Sequence, residues 1–179
     1  MSAVRYLDYA ELEAALPLLR AAPREQGVLE MIVRRPARGE REVLEEAELR
    51  AGEGLTGDRW GLATPRSGEP LTLMCSRVIA LLAQSRDRWP LAGDQLYVDL
   101  DLSGEHLPPG TRLKIGGAVI EVSEEPHTGC RKFRERYGLD AVRFVGSAAG
   151  KALNLRGINA RVLVTGAVRP GDAVRVLFD

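Results

Sequence analysis

The residues best suited to chemistry lie together in one short stretch, from Glu124 to Gly138. This stretch holds one of the two histidines, His127, and one of the two cysteines, Cys130. A turn-forming segment precedes Cys130, and the apolar residues Phe133 and Tyr137 follow it four positions apart, which predicts a helix that begins near the cysteine. A thiol there would lie beside unpaired backbone N–H groups and the positive end of the helix dipole, which favour a thiolate.

Cys130 is therefore the predicted catalytic residue and the predicted metal ligand. A thiolate can act as a nucleophile, bind a soft metal, or carry sulfur as a persulfide. The alternative is a small buried apolar residue, which is what we expect of Cys75. His127 is the second catalytic candidate, because it could orient or acidify the thiol or bind an anion; an exposed turn histidine is its alternative.

Two segments of the chain offer groups that could bind an anion. Arg131 and Lys132 add positive charge directly after the cysteine. In the glycine-rich GLTGDRW (Gly54–Trp60), Asp58 belongs to a turn whose backbone N–H groups could bind an oxyanion, with Arg59 beside it. A surface turn with a solvated aspartate is the competing interpretation.

A third set of candidate binding residues surrounds the start of a predicted strand. Arg156 and Arg161 are of the type that binds phosphate in a bidentate manner, and Asn159 can both donate to and accept from a heterocycle. An ordinary solvated strand edge would have the same composition.

The charge distribution is uneven, and its basic segment could bind an anionic small molecule or a phosphate backbone. The chain has 25 Lys+Arg and 25 Asp+Glu, so its net charge gives no signal for nucleic acid or a membrane surface. Residues 126–161 carry eight Lys/Arg and two acids, whereas residues 8–53 carry eleven acids and seven arginines. The aromatic residues of the basic segment have helical core spacing, so we expect no nucleic-acid partner.

Other patterns narrow the class of protein. The histidines and cysteines match no zinc pattern, and HExxH, P-loop, GxGxxG and GxSxG motifs are absent. Two cysteines 55 positions apart form no disulfide framework, which favours a reducing compartment. We find no apolar run long enough for a signal peptide or a membrane span, and we expect a cytoplasmic protein.

The first fifty residues are predicted to form a helix and a hairpin. Asp8–Glu11 has the form of a capping box, and Pro17 should end or kink the helix that follows. The apolar segment Gly27–Arg35 predicts a strand. Ala37–Glu40 predicts a turn into a second strand, about Arg41–Leu49, for which helix is the competing interpretation.

Short strands dominate the rest of the chain, after two loops, Ala51–Gly61 and Thr64–Pro70, that are predicted to hold no regular element. Alternation of apolar and polar residues in Gln95–Leu102 predicts a half-buried strand. The other predicted strands are Leu71–Met74, Thr111–Ile115, Ala118–Val122, Ile158–Thr165 and Ala173–Phe178.

In addition to the helix of the cysteine segment, helices are predicted at two further places. One has Ser76 as its cap and ends near Gln84, and a polar connection, Ser85–Asp94, follows it. The other covers Leu139–Leu153. Many short strands and few helices predict a mainly β, α+β fold of barrel or sandwich type, in one domain over residues 1–179.

Several segments together resemble the MOSC domain, the C-terminal domain of molybdenum-cofactor sulfurases that also occurs as stand-alone bacterial proteins. These segments are GLTGDRW (Gly54–Trp60), PLTLMCSRVIALLA (Pro70–Ala83), LPPGTRLKIGGAVIEVSE (Leu107–Glu124), PHTGCRKF (Pro126–Phe133) and RGINARVLVTGAVRPGD (Arg156–Asp172). The resemblance implies a closed β-barrel core of short, mostly antiparallel strands with a few peripheral helices. Residues 51–179 carry the match, and residues 1–50 would pack their helix and hairpin onto the barrel.

The resemblance also implies chemistry. Cys130 corresponds to the family's signature cysteine, which is associated with binding molybdenum or carrying sulfur, and the basic residues would hold the pterin's phosphate. Many members have a G-E-N-[LF] element where this chain has Gly93-Asp94-Gln95-Leu96. We expect no pyridoxal-phosphate-dependent desulfurase domain in this chain.

The resulting hypothesis is a molybdenum-cofactor (molybdopterin) binding protein that acts through Cys130 as an oxidoreductase or sulfur carrier. A reductase of N-hydroxylated compounds, served by a redox or sulfur-donor protein, is the activity that the resemblance suggests. Asp58, His127 and Asn159 would orient the ligand or relay a proton. The alternatives are a non-catalytic module that binds an anion or a partner, and a metal-free sulfur transferase.

Overall fold

The computed structural model describes residues 4–59 and 71–178. The described strands are β1 (Gln26–Arg34), β2 (Glu42–Leu44), β3 (Ala47–Arg50), β4 (Gly54–Leu55), β5 (Leu71–Cys75), β6 (Leu96–Asp99), β7 (Arg112–Ile115), β8 (Ala118–Pro126), β9 (Ile158–Val164), β10 (Gly166–Val168) and β11 (Ala173–Leu177). The predicted loop Thr64–Pro70 lies outside the described residues.

Seven of these strands close a β-barrel. Their order is β11-β7-β8-β9-β5-β6-β1, and β1 pairs back with β11 through Gly27 and Val174. All neighbours are antiparallel except β5 and β6. The predicted barrel of short, mostly antiparallel strands is therefore confirmed. β2 extends the sheet beyond β1, and β10, β3 and β4 form a separate three-stranded sheet.

The barrel interior is filled by alternate residues of its strands. In the β7–β8 hairpin, Leu113 and Ile115 pair with Ile120 and Ala118, and all four are fully buried. Period-two alternation of this kind sends one side chain in two to the core. A two-residue turn at Gly116-Gly117 joins these strands.

The described α-helices surround the barrel. They are α1 (Tyr9–Ala14), α2 (Leu16–Arg20), α3 (Ser76–Ala83), α4 (Arg131–Tyr137), α5 (Leu139–Val145) and α6 (Ala148–Ala152), with a 3-10 helix over Arg86–Ala92. The capping box of Asp8 and Glu11 is present, and the helical segment breaks at Ala15, just before Pro17, as predicted. Among the described residues, no helix has both the length and the apolar character needed to cross a membrane.

Two predictions for the middle of the chain are wrong. The predicted polar connection Ser85–Asp94 contains a 3-10 helix, Arg86–Ala92, in which Trp89 is buried. The following strand, β6, is buried on both faces at its first three residues and not on one, because Tyr97, on the predicted polar face, packs against this helix; the Tyr97 hydroxyl donates to the Trp89 carbonyl at 2.9 Å. Gln95, on the same face, is also buried and bonds to Thr72. Both faces of such a strand are therefore core faces, and the polar residues among them need internal partners.

Smaller differences concern element boundaries. Glycine-rich Ala51–Gly61 contains the two-residue strand β4, which pairs with β3. Cys75, not Ser76, is the N-cap of α3. The predicted helix Leu139–Leu153 is two helices, since Ser147 caps the second one by accepting a hydrogen bond from Gly150 N at 3.0 Å.

Two strands on the minor sheet also differ from expectation. The predicted strand Arg41–Leu49 is divided, with β2 on the barrel sheet and β3 on the minor sheet. β10, which pairs with β3, was not predicted.

Candidate functional site

A cavity of about 520 Å³ lies where several parts of the chain meet, among them α4 with Lys132 and Arg136 and the segment of Arg59. Its wall combines the β1–β2 connection, the end of the 3-10 helix, the β8–α4 connection and neighbouring residues of β5 and β9. The described lining residues are Arg35, Ala37, Arg38, Gly39, Glu40, Arg41, Arg59, Thr72, Ala92, Gly93, Glu125, Pro126, His127, Thr128, Cys130, Lys132, Arg136, Arg156 and Asn159. This volume is within the range of small-molecule sites.

Cys130 lies in the cavity wall at the start of α4. It is exposed, its backbone is extended, and its carbonyl accepts the first hydrogen bond of the helix, from Arg134 N at 3.1 Å. The helix begins there because Phe133 and Tyr137 bury one face, with ring centroids 4.9 Å apart. The predicted helix start is confirmed, and Cys130 is not the buried apolar residue of the alternative.

A buried aspartate connects His127 and Arg156. Asp94 is fully buried, and its Oδ1 lies 2.8 Å from His127 Nε2 while its Oδ2 lies 2.6 Å from an Arg156 NH group. Burial alone raises the pKa of Asp94, but the charges of Arg156 and His127, with hydrogen bonds from both, outweigh it and lower the pKa to about 2. Asp94 is thus a permanent anion at neutral pH.

Arg156 is itself held in place by three groups. Beside Asp94, it donates to the Ala92 carbonyl at 3.0 Å, and its guanidinium lies 4.7 Å above the centroid of the Phe133 ring. Its Nε is buried without a hydrogen-bond partner. Phe133 belongs to α4, so Arg156 links the helix of Cys130 to the base of the cavity.

Asp58 supports the opposite wall and does not line the cavity. It accepts two hydrogen bonds from the Arg35 side chain, both of 3.2 Å, and one from Arg35 N at 2.8 Å. Gln95 Nε2 donates to Asp58 Oδ1 at 3.5 Å, and the side-chain oxygen of Gln95 accepts from the backbone N–H and the hydroxyl of Thr72 at 2.7 and 2.6 Å. Asp94 and Gln95, adjacent in sequence, therefore hold the two sides of the cavity.

The wall is strongly cationic. Seven Lys/Arg residues line it against two carboxylates, Glu40 and Glu125. In the part of the chain that the structure describes, four of the cations form neither an ion pair nor a side-chain hydrogen bond: Arg38, Arg41, Arg59 and Lys132. Positive side chains gathered without counter-charges favour an anion in the space between them.

Arg41 shows this most clearly. Its Nε is buried and has no hydrogen-bond partner among the described residues. Desolvation, followed by the neighbouring charge of Arg136, lowers the pKa of the Arg41 guanidinium, with Arg35 contributing in the same direction. Buried charged groups ordinarily have partners, so Arg41 is a candidate ligand for an anion in the cavity.

The structure brings most of the predicted site residues together. Cys130, His127, Lys132, Arg156, Asn159 and Arg59 line one cavity. Arg131 and Arg161 are not among the lining residues. Arg131 is exposed and paired with Glu135, and Arg161 is paired with Glu121.

Four lining arginines were not predicted: Arg35, Arg38, Arg41 and Arg136. Three of them belong to RRPARGER, Arg34–Arg41, where four of eight residues are arginine. That density was a usable signal, but the acids of the surrounding segment concealed it in the regional net charge.

Comparison with known proteins identifies the family. A family model described as MOSC domain matches residues 69–175, more than half of the chain. The chain belongs to the MOSC domain family. No curated protein shows significant similarity to this MOSC protein.

Solved structures share the fold at low identity. The YUAD protein from Bacillus subtilis has a TM-score of 0.62 and 18% identity, with 84% of this chain and 95% of that chain covered. YiiM from Escherichia coli has a TM-score of 0.56 and 19% identity, covering 85% and 70%. YiiM from Geobacillus stearothermophilus has 0.53 and 14%, covering 85% and 73%.

The family is associated with the molybdenum cofactor, and the residues present fit such a group. Its phosphate is an anion, which matches the unpaired cations and the orphaned Nε of Arg41. Its metal binds thiolates, which matches an exposed thiol in the same wall.

Proposed function

We propose that this MOSC protein binds a molybdenum cofactor in the cationic cavity, with Cys130 as the protein's sulfur ligand to the metal. The observation that carries the proposal is the presence, in one wall, of an exposed thiol and four cations that have no counter-charge among the described residues. A cluster of cations alone would suit any anion, and an exposed thiol alone specifies no ligand. Together they match a ligand that has an anionic group at one point and a thiophilic metal at another.

The cations have distinct roles in this proposal. Arg41 and Arg38 come from the β1–β2 connection, and Arg59 and Lys132 from other segments of the wall. The planar guanidinium groups bind phosphate oxygens in a bidentate manner, whereas Lys132 acts as a point charge. Asn159 lines the cavity and offers an amide to the pterin, although its Nδ2 already donates to the Glu125 carbonyl at 3.0 Å.

The proposed activity is oxidoreductase chemistry. When bound, the molybdenum cofactor supplies two-electron redox chemistry. Cys130 holds the metal, Arg156 keeps the helix of Cys130 in place through Phe133, and His127 relays a proton in the cavity. N-hydroxylated compounds are the substrates to screen first, with a redox protein as electron donor, in the cytoplasm.

The experiment separates cofactor retention from folding. The protein is purified from a host that makes the cofactor, and its pterin and molybdenum are compared with those of Arg41→Met and of the control Arg161→Met. We expect the Arg41 variant to lose both and the control to keep both. Removing an uncompensated charge should leave the unliganded Arg41→Met protein at least as stable as the wild type. Equal retention in all three proteins would contradict the proposal.

A second candidate is a metal-free sulfur carrier. It is favoured by the exposed Cys130 thiol, which has no hydrogen bond within the described residues, and by Lys132 in the same wall. Incubation with a donor protein that carries a cysteine persulfide should then transfer the outer sulfur to the Cys130 thiolate and leave a thiolate on the donor, which adds one sulfur atom to wild type but not to Cys130→Ser, as read by intact mass. A plain anion-binding module predicts instead that Cys130→Ser keeps all binding while Arg41→Met loses it.

A further inference from the structure

We infer that Asp94 is a positioning residue that holds His127 in one neutral tautomer, with the proton on Nε2 and the lone pair of Nδ1 presented to the cavity. The assignment is a property of the unliganded chain, and only the identity of the group that meets Nδ1 rests on the proposed function. It gives Asp94 of the Gly93-Asp94-Gln95-Leu96 element a role in the site.

The contact between Asp94 and His127 requires a proton on Nε2. Asp94 Oδ1 lies 2.8 Å from His127 Nε2, and an ionised carboxylate only accepts hydrogen bonds. The low pKa of Asp94, about 2, keeps it ionised at neutral pH and above. Nε2 must therefore carry a proton, and in the neutral imidazole Nδ1 then carries the lone pair.

The orientation of the Asp94 carboxylate is fixed by its second partner. Its other oxygen accepts from Arg156 at 2.6 Å, and Arg156 also bonds to the Ala92 carbonyl and stacks on Phe133. A carboxylate held at both oxygens imposes its direction on the imidazole, as the outer partners of functional histidines generally do.

The imidazole ring of His127 has one edge against the protein and the other at the cavity. Gly157 lies against the inner edge of His127: a Cβ at position 157 would be 3.0 Å from His127 Cδ2. Nδ1, on the opposite edge, bonds to no described residue. The buried side-chain atoms without a partner in the described chain are Arg41 Nε and Arg156 Nε, so Nδ1 is open to solvent. Because His127 lines the cavity, that opening is the cavity.

The consequence is a specific acceptor in a wall dominated by donors. The lining arginines and Lys132 donate only, so they bind the anionic part of a ligand. His127 Nδ1 complements them by accepting from an N–H or O–H group of the ligand. If the proton is transferred, it moves to Nδ1 and its electron pair stays on the ligand atom, while Asp94 stabilises the resulting imidazolium.

The test is a ¹⁵N NMR spectrum of histidine side chains in the protein without cofactor, at about pH 9, where an ordinary imidazole is neutral. The chain has two histidines, and His106→Gln identifies their signals. His106 serves as an internal reference, because its Nε2 lies 2.6 Å from the Arg24 carbonyl, which can only accept. We expect both histidines of the wild type to show a protonated Nε2 and an unprotonated Nδ1.

Asp94→Asn should change only the His127 signals, to a mixture of tautomers, because an amide can donate as well as accept. Asp94→Glu, which keeps a carboxylate, should retain the wild-type pattern. A proton on Nδ1 of neutral His127 in the wild type would overturn the inference even if neither variant folds, and so would unchanged His127 signals in folded Asp94→Asn. Because no cofactor is used, the result is independent of whether the proposed function holds.

Discussion

Arg156 and Asp94 form an ion pair of 2.6 Å in which both side chains are more than nine-tenths buried. Replacing Asp94 with Asn leaves the Arg156 charge buried without a counter-charge. We expect the free energy of unfolding to fall by about 3–5 kcal/mol, measured by urea denaturation. Glu46→Gln is the matched control, because it breaks an exposed pair with Arg169 and should cost less than about 1 kcal/mol. Equal losses in the two variants would contradict this account of the site.

The same aspartate should make stability depend on acid. Its pKa in the folded protein is about 2, below the ordinary value of 3.8, so the folded state binds this proton less readily than the unfolded state. The stabilisation is complete above about pH 5 and is lost as the pH falls towards 2; a shift of this size corresponds to about 2 kcal/mol. The difference in unfolding free energy between wild type and Asp94→Asn should therefore shrink by about 2 kcal/mol as the pH falls between these values. A difference that stays constant down to pH 2 would show that Asp94 is not the titrating group.

Substitution of Gly157 is predicted to destabilise the protein, because of its backbone conformation and the lack of space for a side chain. Its φ is +122°, and a Cβ there would overlap the Leu73 carbonyl oxygen as well as press on His127. Gly157→Ala should destabilise the protein by more than about 1 kcal/mol and shift the NMR signals of His127. Gly171→Ala is the control, since Gly171 has a φ of +97° but open space around its Cβ position. Its strain should not move the His127 signals.

The two thiols should react very differently. Cys130 is exposed, whereas Cys75 is buried and its pKa is raised by desolvation. Iodoacetamide should modify one thiol of the native protein, and the second only after unfolding. Peptide mass spectrometry identifies the modified residue. Labelling of Cys75 at the rate of Cys130 in the native protein would mean that the burial of Cys75 is wrong.

Patterns local in sequence predicted most of the strands and the start of α4. The β7–β8 hairpin and the helix at Cys130 depend on neighbours within a few residues, such as Gly116-Gly117 and the pair Phe133 and Tyr137. The prediction for β6 was wrong because burial of this strand depends on distant segments. Its polar face, with Gln95 and Tyr97, is covered by a helix and by the barrel, which no alternation of apolar residues reveals.

The site shows the same division. Cys130, His127 and Lys132 could be predicted because they are within six residues of one another. Arg41 is 89 positions before Cys130, and only closure of the barrel through β1 brings it into the same wall. Asp94 looked like part of a polar connection, and its role depends on two residues, His127 and Arg156, from distant segments.

The most direct test of the central claim is the molybdenum content of three proteins from one cofactor-producing host: wild type, Cys130→Ser and Cys75→Ser. Serine is a preferred N-cap residue, so it suits position 75 at the start of α3, and that variant controls for loss of a thiol elsewhere. The account predicts close to one molybdenum per chain in wild type and Cys75→Ser, and little or none in Cys130→Ser. Equal molybdenum in all three, or none in wild type while the host's other molybdoenzymes are loaded, would contradict it.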